Sequence, residues 1–222
     1  GIRMLSRSVI PVRLTPADLP AHVASARYRS GLLDPRSGHL QPLKYLQGLS
    51  HAALQAGVTL HEHSRALSWS TGNEGQVVVR TGGGQVRCAQ LLLAGNATLG
   101  PLAPALSRRI LGVGTYMVAT EVLGAERATA LLPGNAAAAD MNWVLDYFRR
   151  SRDHRLLFGG RVSYSGLDPH DSARATQRRL LAVFPQLRDV RIEHAWGGWL
   201  DITRNRAPDF GRLASSVWYL QG

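Results

Sequence analysis

Apolar residues recur at spacings of three and four from Pro42 to Ala56, where Leu46, Leu49, Ala53 and Ala56 share one side of a predicted helix. Gly57 supplies its C-terminal stop. VTLHEH at 58–63 reads as a following strand, giving a helix–turn–strand step of the α/β kind. QVVVRT at 76–81 and QVRCAQLLLAG at 85–95 flank Gly82, Gly83 and Gly84, which predicts a hairpin through a turn free to take positive φ. The second of these strands ends in the unbroken run Leu91 to Ala94, suited to burial on both faces of a parallel sheet.

Near the start, TPAD at 15–18 offers Thr15 as an N-cap, Pro16 at the first helical position and Asp18 at N3. A short helix is expected there, limited by Pro20. After Pro101 and Pro104 the strands lengthen: GVGTYMVATEV at 112–122, NWVLDYFRR at 142–150 and HRLLFGGRVSY at 154–164, the last two forming an antiparallel hairpin. A helix is predicted over 172–184, capped by Asp171 or Ser172, with Leu180, Leu181 and Phe184 inward and Pro185 ending it. The rest, from Arg191 to Leu220, is strand-rich. The fold class is therefore mixed α+β.

Composition narrows the functional classes. The net charge of +11 would ordinarily point to nucleic acid, but Lys44 is the only lysine and the arginines are scattered, so no phosphate track is drawn. A single cysteine, Cys88, excludes an internal disulfide framework and a multi-cysteine zinc site, and its apolar surroundings suit a buried, inert thiol. His61 and His63 alternate on one face but lack a third ligand, so no metal is expected. With no long apolar span and no signal-peptide layout, the expected compartment is the cytoplasm.

Three segments carry a family likeness: GLLDPRSGHLQPLKYLQGL at 31–49, LLLAGNATLG at 91–100 and AWGGWLDITRNRAPDFGRL at 195–213. In this order and spacing they resemble the glycine/D-amino-acid oxidase superfamily of FAD-dependent oxidoreductases. The intervening GTYMVATE, VLDYFR and RLLFGGRVSYS are similar to its gamma-glutamylputrescine oxidoreductase branch. The resemblance implies a partial FAD-binding Rossmann-like domain and a substrate domain with a large, mainly antiparallel sheet. It assigns 1–36 to entry into the substrate domain, 37–108 to the FAD-binding domain, 109–200 to the substrate domain and 201–222 to a return to the FAD-binding domain.

The same resemblance implies that FAD lies against Ala66, Ala94, Gly95, Asn96 and Gly222, where small residues or main chain let the cofactor approach. Ala66 stands where the family usually has valine. Substrate contacts are implied for Tyr116, Tyr147, Arg149 and Arg161, an arginine fork being a suitable partner for a carboxylate. The plainer reading makes the tyrosines core aromatics and the arginines surface charges. Trp196 and Trp199 read as packing residues, with Trp196 a candidate for the border of the site. No acid–base signature is expected, because the flavin carries the chemistry and oxidises the C–N bond of an amine to an imine.

No GxGxxG opens a helix in these residues, and the family continues past a glycine such as Gly222 into a flavin loop, so the chain reads as an internal piece of such an enzyme. Taken alone it is expected to bind FAD poorly and, with an unpaired sheet edge, to self-associate. The rival reading is a basic RNA-interacting or tRNA-modifying flavoprotein, or a noncatalytic remnant.

Overall fold

The computed structural model describes residues 11–72, 75–165 and 171–222. Its strands are β1 (Val12–Leu14), β2 (Gly31–Leu33), β3 (Ala66–Thr71), β4 (Val77–Thr81), β5 (Gly84–Cys88), β6 (Leu91–Leu93), β7 (Ile110–Thr120), β8 (Ala138–Ala139), β9 (Tyr147–Arg150), β10 (Leu156–Ser163), β11 (Ile192–Thr203), β12 (Asp209–Ala214) and β13 (Val217–Gln221). The α-helices are α1 (Pro42–Gln55), α2 (Pro104–Ser107), α3 (Ala125–Leu131) and α4 (Ser172–Val183). The chain divides into two compact units, the first of residues 1–46, 116–161 and 169–197, the second of 47–115, 162–168 and 198–222.

The largest sheet has the order β11-β7-β10-β9-β8. Within the first unit, β9 and β10 form the expected antiparallel hairpin, with Phe158 opposite Phe148 and Gly159 opposite Tyr147. The predicted strand over 142–150 is confined to its second half, because the preceding loop is tied back on itself: Asp140 Oδ1 accepts from Asn142 N and Asp146 N. Alternation sends Phe148, Leu156 and Phe158 to the face that meets Leu180, Val183 and Phe184 of and just beyond α4. Phe148 stacks on Phe158 and meets Phe184 edge-on with centroids 5.0 Å apart, a preferred aromatic arrangement. Helix α4 begins after Asp171 and stops before Pro185, as the sequence indicates.

The expected Thr15 cap is displaced: the helical turn begins only at Leu19, with Asp18 in the cap position. The Asp18 carboxylate accepts from both the backbone N–H and the hydroxyl of Thr15, but Pro20 leaves only one 3-10 turn, Leu19–Ala21. Elsewhere in this unit, ion pairs join distant segments. Arg127 binds Asp189, Arg155 bridges Asp153 and Glu193, and Arg191 holds Glu121.

These contacts hold carboxylates below their ordinary range: Glu121 through the Arg191 backbone N–H and guanidinium, Asp153 through Ser151 and Arg155, Glu193 through Arg155, and Asp189 through Arg127. A carboxylate with a depressed folded pKa contributes stability above its unfolded value and loses it as pH falls through the folded one. The thermal midpoint should therefore drop most steeply below about pH 4, and calorimetry of Arg127→Ala should show a shallower drop, because the largest cause that holds the Asp189 carboxylate down is then gone.

In the second unit, α1 ends as predicted. Gly57, at φ 86°, donates to Leu54 O and Val58 donates to Ala53 O, the paired bonds of a Schellman stop. Two expectations fail here. The segment 58–63 forms no strand, because a strand needs a ladder partner and none is present among the described residues. With it goes the strand alternation of His61 and His63. The helix stripe also stays exposed: Leu46 and Leu49 are not covered by any described element, and α1 has no buried residue.

The glycine turn does form the predicted hairpin, with Thr81 opposite Gly84, and β3 adds on its other side to give a β3-β4-β5 meander. The strand predicted to run through 95 breaks after Cys88, which is only half-buried rather than enclosed. Leu91–Leu93 changes sheets and pairs parallel with β13 in the order β12-β13-β6. The parallel pairing agrees with the apolar run, and β13 gives it a neighbour on one side. Burial on both faces does not hold, since Leu93 is enclosed while Leu92 is 60% exposed. The core of this unit joins Val77, Leu93, Leu99, Leu106, Val217 and Tyr219. Among the described residues no helix is long and apolar enough to cross a membrane.

Candidate flavin and substrate sites

The cofactor-facing residues expected from the sequence gather around the loop that leaves β6. Ala66 and Gly95 line one cavity of about 210 Å³, together with Arg65, Leu67, Thr98, Leu99, Pro101 and Leu102. Trp69 braces this wall by donating its indole N–H to Leu102 O at 3.0 Å. Gly95 lacks a side chain for a reason internal to the chain: a Cβ there would lie 2.8 Å from a Leu99 methyl. Leu99 is buried in the core, so the close turn lets the loop fold over it.

Asn96 follows in the left-handed region, at φ 50°, which asparagine tolerates better than most residues. Its Oδ1 accepts from Ala97 N and, at 2.9 Å, from Asp201 N of β11. Asp201 Oδ2 in turn accepts from Gly222 N at 3.2 Å. Three segments far apart in sequence are thus held together by one amide and one carboxylate. Asp201 escaped the sequence reading; the available signal was a lone acid at the head of the arginine-rich stretch Asp201 to Arg206. Ala94 is exposed beside this loop.

The residues present suit part of FAD. The cavity offers an apolar wall from Leu67, Leu99, Pro101 and Leu102 for a flat ring, main chain at Ala66 and Gly95, and the Arg65 cation beside it. A second, more open cavity of about 490 Å³ is lined by Ala97, Thr98, Gly112, Tyr164, Ser165 and Trp199. Trp199 thus lines a cavity, and Trp196 is 45% exposed.

The substrate candidates lie in the first unit. Tyr147 and Arg149 alternate along β9 on the face opposite Phe148, and Gly159 faces Tyr147 across the ladder. Arg149 is half-buried, and that burial lowers its pKa. Its guanidinium's one hydrogen bond among the described residues is a long contact of 3.5 Å to Arg150 O, and no described carboxylate pairs with it. Arg161 is in β10, two residues beyond Gly159, but its side chain lies outside the described residues. Tyr116 is only 4% exposed and is in step along β7 with Val118, which packs into the core. The structure thus brings Tyr147 and Arg149 onto one face and buries Tyr116.

Sequence and fold relations identify the family. The chain is 40% identical over 201 residues to the gamma-glutamylputrescine oxidoreductase of Escherichia coli K12, covering 90% of this chain and 47% of that protein. It is 28% identical over 197 residues to the glycine oxidase of Pseudomonas aeruginosa, covering 85% of this chain and 50% of that protein. The glycine oxidase structure from Geobacillus kaustophilus superposes with a TM-score of 0.79 at 18% identity, over 95% of this chain and 57% of that one, which establishes the fold. The chain spans about half the length of the curated relatives it matches. A match over residues 2–222 to the family described as DAO, FAD dependent oxidoreductase, completes the case: this chain belongs to the DAO family of FAD-dependent oxidoreductases.

Proposed function

We propose that the full-length protein oxidises the C–N bond of an amine that carries a carboxylate, of the gamma-glutamylputrescine type. The observation that carries this reading is Arg149. A half-buried guanidinium with no carboxylate partner among the described residues is costly, and an anionic ligand offsets that cost through charge-assisted hydrogen bonds. Tyr147 beside it presents a ring and a hydroxyl on the same face. The 40% identity to the Escherichia coli gamma-glutamylputrescine oxidoreductase supports the choice of amine.

In this proposal the first unit supplies the substrate wall, with Tyr147, Arg149 and Arg161 as contacts and Tyr116 behind them. The second unit supplies part of the FAD site through Ala66, Ala94, Gly95, Asn96 and Gly222. FAD, when bound, would supply the hydride acceptor; the substrate carbon beside the neutral amine becomes an iminium, which loses a proton to give the imine, and water then releases ammonia and leaves the aldehyde. Arg149 orients the substrate by its carboxylate, and the loop at Asn96 keeps the flavin-facing main chain in place. An RNA-binding role gains little from the arginines, since Arg127, Arg155, Arg179 and Arg191 already pair with carboxylates of the chain.

The full-length protein should be yellow as purified. Its KM for gamma-glutamylputrescine should rise about tenfold in Arg149→Met, while turnover of putrescine, which has no carboxylate, stays unchanged. A colourless protein after gentle preparation would refute the cofactor assignment. An unchanged preference for the glutamylated amine would refute the role of Arg149.

A further inference from the structure

We propose that Gly159 is a positioning residue for the substrate wall: by carrying no side chain it lets the Tyr147 ring lie against the β10 backbone and so sets where the tyrosine meets a ligand. The inference rests on the reading of Tyr147 as a substrate contact. Gly159 and Tyr147 are direct antiparallel partners, so their side-chain positions share one face. A Cβ built on Gly159 would stand 2.6 Å from the Tyr147 hydroxyl oxygen and closer still to two ring carbons, far inside van der Waals contact. Glycine inside a strand weakens it and marks a close approach. Here the approaching group is the tyrosine ring.

The opposite face of the same strand repeats the device. A Cβ on Gly160 would fall inside contact distance of the Asp146 carboxylate and 3.3 Å from Arg179 Nε. Two adjacent glycines therefore clear both faces of β10 where Asp146 and Tyr147 cross it. Arg179 holds Asp146 and the Val144 carbonyl, which fixes the backbone entering β9, and Gly159 fixes the ring that follows. The atoms that an added methyl would strike at Gly159 are the far end of a side chain. The tyrosine would swing away while the ladder stayed intact, and the arginine two residues on would keep its backbone position.

The test uses the full-length flavoenzyme with gamma-glutamylputrescine as the amine, comparing Gly159→Ala, Tyr147→Leu and the double variant by steady-state kinetics and thermal melting. Gly159→Ala should raise KM about tenfold with kcat within about twofold, the signature of a misplaced binding group rather than a lost chemical step. In the Tyr147→Leu background the added methyl should change KM no further, because the ring it displaces is gone. Additive effects on KM, or equal losses of thermal midpoint in both backgrounds, would overturn the proposal and leave Gly159 a structural residue. If Tyr147→Leu alone left KM unchanged, the substrate-wall reading would fail instead. The thermal midpoints would then decide the seating by themselves: a methyl that destabilises only when the ring is present supports it, and one indifferent to the ring overturns it.

Discussion

Replacing Arg179 with methionine is expected to lower the unfolding free energy by about 3–5 kcal/mol, because it strands a buried carboxylate. Asp146 is 1% exposed, and burial pushes its carboxyl above the ordinary range, against the pull of Arg179. Arg179 Nε donates to Asp146 Oδ1 at 2.6 Å, and its Nη2 donates to Val144 O at 2.6 Å. The remaining cation, Arg27, is 4.0 Å away and more exposed, so it compensates weakly. The pH dependence identifies the cause. A carboxyl whose folded pKa is raised contributes stability below its unfolded pKa and loses it as pH rises through the folded value. The deficit of Arg179→Met should therefore shrink as pH is lowered toward about 4, and Asp146→Asn in the same chain should recover much of it at neutral pH. Urea unfolding at two pH values measures both. A deficit under about 1 kcal/mol, or one independent of pH, would show that Asp146 is not held as an ion.

How much of this was legible in the sequence depends on whether the deciding contact is local. The stop of α1 at Gly57, the turn at Gly82 and Gly83, and the α4 boundaries at Asp171 and Pro185 are set by residues within a few positions, and the structure has each of them. The segment 58–63 has the composition of a strand, yet pairing decides and no described partner reaches it. The break after Cys88 was hidden for the same reason: β5 is held by β4 close by, whereas Leu91–Leu93 is claimed by Val217–Tyr219, which no periodicity announces. Helix α3 was also missed, its AERATAL core being short and its cap position held by Gly124 at φ 80°. At the candidate sites, the family resemblance named Tyr147 and Arg149 together and β9 carries both on one face, whereas the burial of Tyr116 on β7 is not announced by its local pattern. The bridging role of Asp201 depends on Asn96 and Gly222, each a long way off in sequence, so only the fold reveals it.

Asn96→Ala should weaken FAD binding to the full-length protein by about a hundredfold while leaving the first unit's melting unchanged. Two costs combine. Alanine pays about 1–2 kcal/mol to occupy the left-handed conformation that residue 96 adopts, a region asparagine visits more readily. It also removes the acceptor for Ala97 N and Asp201 N, each bond worth about 1 kcal/mol or more once the donors are left without it. The loop would then lose its tie to β11, and with it the fixed separation between the turn at Gly95 and the Gly222 amide that Asp201 holds. Two further variants separate the causes. Asn96→Gly relieves the backbone strain but still lacks the acceptor, so it should recover only part of the affinity. Asn96→Asp keeps an acceptor oxygen but sets a second negative charge beside Asp201, so its affinity should improve with added salt as that repulsion is screened. Fluorescence titration of FAD into the apoprotein at two salt concentrations gives all the values. Affinity equal to the native protein's in Asn96→Ala would mean that this loop does not shape the flavin site, whatever it does for the fold.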